Sequence, residues 1–269
     1  MHSDPLPPGP PRLHIDGGHA TLTLNRPAHH NRLQVEDLRT LQQHFATLAA
    51  EPALRVVVLA AEGRSFCSGF DLGALAATPD GMAGANTAGA SAGPRLFEET
   101  VDALEALPVP TVCRLQGGVY GGATDLALAC DFRIGVDGMV LRMPAARIGL
   151  HYYASGLRRY VARLGLQQAK RLFLLAEDVP ATELLAMGYL DRLVPAAQLD
   201  AELAQLVAAL EAGAPLALRG MKTSLNEIAR GEFHLSALRE REARCADSDD
   251  LREGQRAMAE KRAPRFQGR

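Results

Sequence analysis

The stretch RVVVLAA, residues 55–61, restricts the fold more than any other part of the chain. It is short, continuously apolar and rich in β-branched residues, which suits a strand covered on both faces. Such a strand needs helices above and below it, so a parallel α/β sheet is expected. TVCRL, 111–115, repeats the pattern, and FRIGV and MVLRM supply further strands. Upstream, RLHI and ATLTL flank Asp16-Gly17-Gly18, a composition suited to a tight hairpin. Leu38, Leu41, Phe45 and Leu48 recur at three- and four-residue spacing and predict a helix over 35–50, ended by Pro52. Further helices are expected over about 95–107 and 121–130, and almost nothing but helix from Ser155 onward.

These patterns divide the chain into a proline-rich lead-in (1–11), an α/β core (12–195) and a helical C-terminal region (196–269). Residues 73–94 are almost entirely small or polar. The segment reads either as one that orders over a ligand or as a tolerated insertion. With Lys plus Arg at 29 against 31 for Asp plus Glu, no general field gathers nucleic acid or an anionic membrane, and any anion must be held locally. The four cysteines are far apart, which speaks against a zinc site or a disulfide framework and for a reducing, cytoplasmic setting. No apolar run reaches the roughly eighteen residues of a membrane span.

After TVCRL the chain continues as GGVYGGATDLALACD, 117–131, with four glycines in six positions before an apolar helix that carries Asp125. Unpaired NH groups at a helix start attract anions. The spacing is neither G-x-x-x-x-G-K-[ST] nor G-x-G-x-x-G, so a triphosphate or dinucleotide cradle is disfavoured. The remaining candidate anion is an oxygen that becomes negative during a reaction. Such a site needs a second donor, and GRSFCSGFDLGAL, 63–75, supplies one. It follows the 55–61 strand, turns at Ser68-Gly69 and leaves the NH of Phe70 free to point into a cleft.

At this point the chain resembles the crotonase superfamily, the enoyl-CoA hydratase/isomerase family. LNRP (24–27) with Asn31, SFCSGFDL, GGVYGGATDLALACD, MPAARIGL and AEKRAPRF carry the likeness from about residue 12 to the C-terminus. The resemblance implies a spiral of ββα units with a helical trimerisation region, assembled as a homotrimer or dimer of trimers. It implies an acyl-CoA thioester as ligand, with coenzyme A as part of the substrate, no separate cofactor and no metal, in fatty-acid metabolism. The thioester oxygen would sit between the NH groups of Phe70 and Gly122 and stabilise an enolate. CoA would run past Ala28 and His30 and along the backbone of residues 68–72 (Ser68, Phe70, Asp71, Leu72). It would then reach toward Lys261, which reads equally as a solvated lysine or as a 3'-phosphate partner supplied by a neighbouring subunit.

Two departures bear on the chemistry. Family hydratases use two glutamates; the first falls on Asp125, expected to face the cleft, and the second on Ala145. GLHYYASG, 149–156, instead places His151, Tyr152 and Tyr153 near the acyl site and is locally similar to methylmalonyl-CoA decarboxylases, whose tyrosine matches Tyr152. Loss of CO2 yields the enolate without a base, so a lyase reaction is expected, with Tyr152 orienting the carboxylate and His151 or Asp125 assisting protonation. The same residues also suit packing roles. The alternatives are an enoyl-CoA hydratase/isomerase using Asp125 with a Tyr or His surrogate, and a noncatalytic relative that binds acyl-CoA. The near-neutral charge speaks against RNA.

Overall fold

A computed structural model of the chain describes residues 7–71, 73 and 92–269. The main sheet contains β1 (Arg12–Asp16), β2 (His19–Leu24), β3 (Val56–Ala61), β4 (Thr111–Leu115), β6 (Phe132–Val136) and β9 (Arg192–Val194), in the order β1-β2-β3-β4-β6-β9. β1 and β2 form the expected antiparallel hairpin, and every other neighbouring pair is parallel. A smaller sheet joins β5 (Val119–Tyr120), β7 (Val140–Arg142) and β8 (Val179–Pro180) in the order β5-β7-β8.

All six residues of β3 are buried, as a strand covered on both faces requires. α1 (Val35–Ala50) buries Leu38, Leu41, Phe45 and Leu48 along one stripe. Its start is fixed because the Asp37 carboxylate accepts the Gln34 NH at 2.8 Å and pairs with Arg26 at 3.0 Å. α2 (Ala92–Glu105) begins earlier than the expected 95 and takes up the last residues of the small-residue stretch; residues 74–91 lie outside the described residues. α3 (Ala123–Ala129) is wholly buried. α4 (Ala154–Lys170) runs into a single π-helical turn at Arg171–Leu175.

The expectation of nearly continuous helix beyond Ser155 is corrected by β8 and β9. Arg192–Val194 is only three residues long and half-buried throughout, so its sequence carries no strand pattern. Pairing with Ile134–Val136 imposes the extended state. After the short α5 (Ala181–Ala186) come α6 (Leu199–Glu211), α7 (Pro215–Arg230), α8 (Leu235–Ala246) and α9 (Asp249–Glu260). Among the described residues no single helix is long and apolar enough to cross a membrane.

The C-terminal tail folds back over α9, where the Asp250 carboxylate accepts the NH groups of Gln267 and Gly268 at 2.7 and 2.8 Å. Phe266 O accepts from Arg55 at 3.0 Å, immediately before β3. The tail therefore lies at the N-terminal ends of the parallel strands. The two glycine turns leave from the C-terminal ends of β3 and β4, the edge where ligands bind in open α/β sheets.

Candidate functional site

Backbone contacts build the first part of the site. The Asn31 amide donates to the carbonyls of Glu62, Ser65 and Phe66 at 2.8, 3.1 and 3.1 Å, while its oxygen accepts the Arg26 NH at 2.8 Å. This pins the segment leaving β3, and Cys67 then forms a parallel bridge with Val119. The segments approach so closely that a Cβ on Gly117 would lie 2.0 Å from Arg64 O. At Gly69, φ is +93°, and a Cβ there would lie 2.8 Å from Tyr120 O and 3.1 Å from Gly122 N. Glycine is thus required by conformation and by space, and the two turns meet here.

Leu33 accepts from Asp71 N and donates to Gly69 O, each at 2.9 Å. NH groups alternate along extended backbone, so that of Phe70 faces away from Leu33. Gly122 lies at the start of α3, where NH groups lack intrahelical acceptors. Among the described residues neither the Phe70 nor the Gly122 NH has an acceptor. The expected pair of donors is therefore brought together on facing turns.

Around this pair, His30 Nδ1 lies 2.9 Å from Ser65 Oγ, and its Nε2 lies 3.1 Å from Arg64 Nη2. The Ser68 NH donates to His30 O at 2.8 Å, and Asp71 pairs with Arg32 at 3.3 Å. Ser68 and Asp71 are thus tied to residues 30–33 along one rim, with Ala28 in the adjoining Pro27–His29 turn; Leu72 lies outside the described residues. Lys261 caps the far end of α9, exposed and in the left-handed conformation, φ 53°. Among the described residues no hydrogen bond or ion pair connects it to this rim. Beside the turns, the Cys67 thiol donates to Asn31 O at 2.9 Å, and complete burial pushes it up to about 12.

Side chains build the second part. Asp125, expected to face the cleft, is 0 % exposed. The physical reason is Arg159 on α4, whose Nη1 donates to Asp125 Oδ2 at 2.7 Å and draws the carboxylate inward. The Tyr153 hydroxyl donates to the same oxygen, while Oδ1 has no partner among the described residues. Arg159 is itself held on α2 by Glu105 at 3.0 Å and Asp102 at 2.7 Å. Asp125 therefore links the half-buried Tyr153 to the buried Arg159.

The Tyr152 ring is buried and stacked on Tyr153 at 4.3 Å, and its hydroxyl donates to that of Tyr153 at 3.3 Å. Phe97 lies 6.1 Å from Tyr153 and 6.0 Å from Phe70. A Cβ on Gly122 would stand 2.7 Å from Phe97 Cζ, so this aromatic wall adjoins the donor pair directly. Gly156 makes the cluster possible, since a Cβ there would lie 2.5 Å from Tyr152 Cε1 and 2.8 Å from both Asp125 Oδ2 and Tyr153 Cε2. His151 is exposed, with Nδ1 2.8 Å from Tyr152 O, apart from the Tyr153–Asp125–Arg159 network. Ala145 is buried at the head of a 3-10 turn, Ala145–Ile148.

Burial pushes the Asp125 carboxyl above its usual range, against the opposing pull of Arg159 and the Tyr153 hydrogen bond. Burial also loosens the Arg159 proton, but Asp125 and Glu105 outweigh it and hold the guanidinium charged. Burial first, and the Asp125 charge second, raise Tyr152 and Tyr153 well above the ordinary phenol range. Both are therefore protonated at neutral pH, and each can donate a hydrogen bond or a proton. Sequence reasoning missed Arg159 and the leading place of Tyr153. A usable signal existed: Gly156, Arg159, Tyr160 and Arg163 recur at helical spacing, and an arginine on an inward stripe demands a buried carboxylate.

Comparison with known proteins agrees with this architecture. The family model described as Enoyl-CoA hydratase/isomerase matches residues 14–269. Enoyl-CoA hydratase EchA19 of Mycobacterium tuberculosis is 30 % identical over 97 % of this chain and 98 % of its own length. Enoyl-CoA isomerase/hydratase fer4 of Mycosarcoma maydis is 30 % identical over 92 % of each chain. A crystal structure of an enoyl-CoA hydratase/carnithine racemase from Magnetospirillum magneticum superposes with a TM-score of 0.88, at 28 % identity and 96 % coverage of each chain.

Proposed function

The chain belongs to the enoyl-CoA hydratase/isomerase family and has the crotonase fold, and on that premise we propose that it converts an acyl-CoA thioester through an enolate held by the NH groups of Phe70 and Gly122. The observation that carries this reading is the meeting of the two glycine turns, with Gly69 against Gly122 and both donors without an acceptor among the described residues. Fixed donors aimed at a developing oxyanion are worth about 100- to 1,000-fold each in acyl chemistry. The rim around Ala28, His30, Ser68 and Asp71 is the proposed path of the CoA chain.

Within this chemistry the preferred reaction is a lyase step, decarboxylation of a malonyl-type thioester. The bond from the α-carbon to the carboxylate carbon breaks, its electron pair remains as the enolate, and CO2 leaves. Nothing must first remove an α-proton, which suits a site whose Asp125 is sealed beneath Tyr153 and paired with Arg159, and whose position 145 is a methyl group. The wall formed by Phe70, Phe97 and Tyr153 disfavours a charged carboxylate and favours its loss as neutral CO2.

The test is direct: malonyl-CoA and methylmalonyl-CoA are assayed for CO2 release, and crotonyl-CoA for loss of the enoyl absorbance. CO2 release is expected; loss of enoyl absorbance without it would replace the lyase step by hydration, and binding without turnover would favour an acyl-CoA-binding protein. Self-association as a trimer or dimer of trimers belongs to the same reading. It is supported by the exposed stripe Met221, Leu225 and Ile228 on α7, and light scattering of the intact chain measures it.

A further inference from the structure

The position of Tyr153 assigns it a role of its own. We propose that the Tyr153 hydroxyl is the group that exchanges a proton with the α-carbon of the enolate, and that Asp125 and Arg159 are the residues that position it; this deepens the enolate reading above and rests on it.

Geometry selects Tyr153 from its neighbours. Its hydroxyl is bonded to Asp125, three residues into α3 from Gly122, and helical side chains lean toward the N-terminus. The hydroxyl is thus joined to the first turn of the helix whose start carries the Gly122 NH. Asp125 and Tyr152 are buried, whereas Tyr153 is half-buried and edges Phe97, the ring seated against Gly122. The cluster also fixes the angle of the hydroxyl. Arg159, tied to Asp102 and Glu105, holds the acceptor oxygen of Asp125 in place, and the Tyr152 ring stacks on a face of the phenol.

In the forward step the Tyr153 O–H bond breaks and its proton goes to the α-carbon. The enolate π-electron pair forms the new C–H bond, and the thioester carbonyl is restored. The phenolate left behind accepts the Tyr152 hydrogen bond, 3.3 Å away, and regains its proton from solvent at the half-buried Tyr153. An enolate is far more basic than a phenolate, so the transfer runs downhill even though the surroundings weaken Tyr153 as an acid. In reverse, the phenolate takes an α-proton from a saturated thioester, so the same step exchanges α-hydrogens with solvent.

Propionyl-CoA labelled with carbon-13 at the carbonyl and incubated with the intact protein in D2O provides the test. Mass spectrometry follows α-deuteration, and infrared spectroscopy follows the bound carbonyl. The expected result is exchange by the wild type, at least a 100-fold loss in Tyr153→Phe with the carbonyl shift retained, and a smaller loss in Tyr152→Phe. The charged and titratable groups packed around the phenol are Asp125 on α3, Tyr152 beside it, Arg159 on α4, and Asp102 and Glu105 of α2 behind Arg159. The wild-type exchange rate is therefore expected to rise until above the ordinary tyrosine range, and Asp125→Asn to move that rise to lower pH. A purely structural role for Asp125 predicts no such move. Replacing Tyr153 with 3-fluorotyrosine, a stronger acid, moves the rise the same way without deleting the hydroxyl. Exchange in Tyr153→Phe within threefold of wild type overturns the proposal and leaves the enolate reading standing. Absence of both exchange and carbonyl shift in the wild type removes both.

Discussion

The pair of glycine turns and the Tyr153–Asp125–Arg159 cluster adjoin one another across Phe97, yet they are built by opposite means. In the first, the proposed groups are backbone NH donors, and the sequence contributes chiefly by leaving out side chains at Gly69, Gly117 and Gly122. In the second, every group is a side chain: two helices must dock before a carboxylate, a phenol and a guanidinium meet, and a third holds the guanidinium in place. A backbone site has no titrating group and can fail only by being distorted. A side-chain site stores its function in charge, so it fails differently at different pH.

That contrast makes the largest expected effects those of Gly69→Ala and Gly122→Ala. The added methyl meets Tyr120 O at 2.8 Å in one case and Phe97 Cζ at 2.7 Å in the other, and at Gly69 it must also adopt φ +93°. Turnover should fall about 100- to 1,000-fold, the worth of one oxyanion donor. The loss should be the same at every pH in a kcat/KM profile; a loss that varied with pH would break the comparison, because a titrating side chain would then belong to the donor site.

Arg159→Met comes next and acts through stability. It leaves the buried Asp125 and Glu105 without their shared cation, a change that costs about 3–5 kcal/mol for a buried pair losing one partner. In the wild type burial raises Glu105, but the charges of Arg159, Arg163 and Arg230 and the Arg159 hydrogen bond together lower it, so it contributes stability above its unfolded value that is lost as pH falls through its folded value, whereas Asp125, raised by burial, already has the opposite sign. In the variant Asp125 is expected to rise further, and Glu105 to lose the largest of the partners that lower it. Both changes act in one direction, so the variant is expected to lose more stability than the wild type as pH rises. Urea midpoints at pH 5 and pH 8 check this, and an unchanged slope would show that Arg159 does not set the charge balance of the cluster.

How much the sequence disclosed follows the same division. α1 was legible because Leu38, Leu41, Phe45 and Leu48 mark one stripe, and the two glycine turns because glycine patterns after buried strands are local signals. Arg159 lies 34 residues from Asp125 and 57 from Asp102, and no spacing rule links groups joined only by helix docking. In His151-Tyr152-Tyr153 three adjacent polar rings look equivalent along the chain. Their division into an exposed imidazole, a buried phenol and a half-buried phenol is set by Gly156 and Asp125 beneath them. β9 escaped for a related reason, since its strand state comes from its neighbour rather than from its own residues.

A smaller effect sharpens the backbone side of the comparison. Cys67 lies in the first turn, but its thiol is pushed up to about 12 by burial and donates to Asn31 O, so it is an inert part of the scaffold. Iodoacetamide at pH 8 should label the half-buried Cys245 and leave Cys67 unlabelled in the folded protein, as peptide mass mapping would show. Labelling at Cys67 would place a reactive side chain in a site argued to have none.

The smallest effect asks whether both halves of the site are complete within one chain. Lys261 is exposed at the end of α9 and has a positive φ of 53°, a conformation that favours glycine. Lys261→Gly relieves that strain at some entropic cost, for a net gain of about 0.5 kcal/mol. If a neighbouring subunit brings this lysine to the 3'-phosphate of CoA, the same variant should raise KM roughly two- to fivefold, the worth of a solvated ion pair. The rise should vanish with a dephospho-CoA thioester, which lacks that phosphate. A variant that is more stable and binds both thioesters as the wild type does would confine Lys261 to ending its helix. A variant that is more stable yet weaker only toward the phosphorylated thioester would extend the site across the subunit boundary, because no loss of folding could account for the weaker binding.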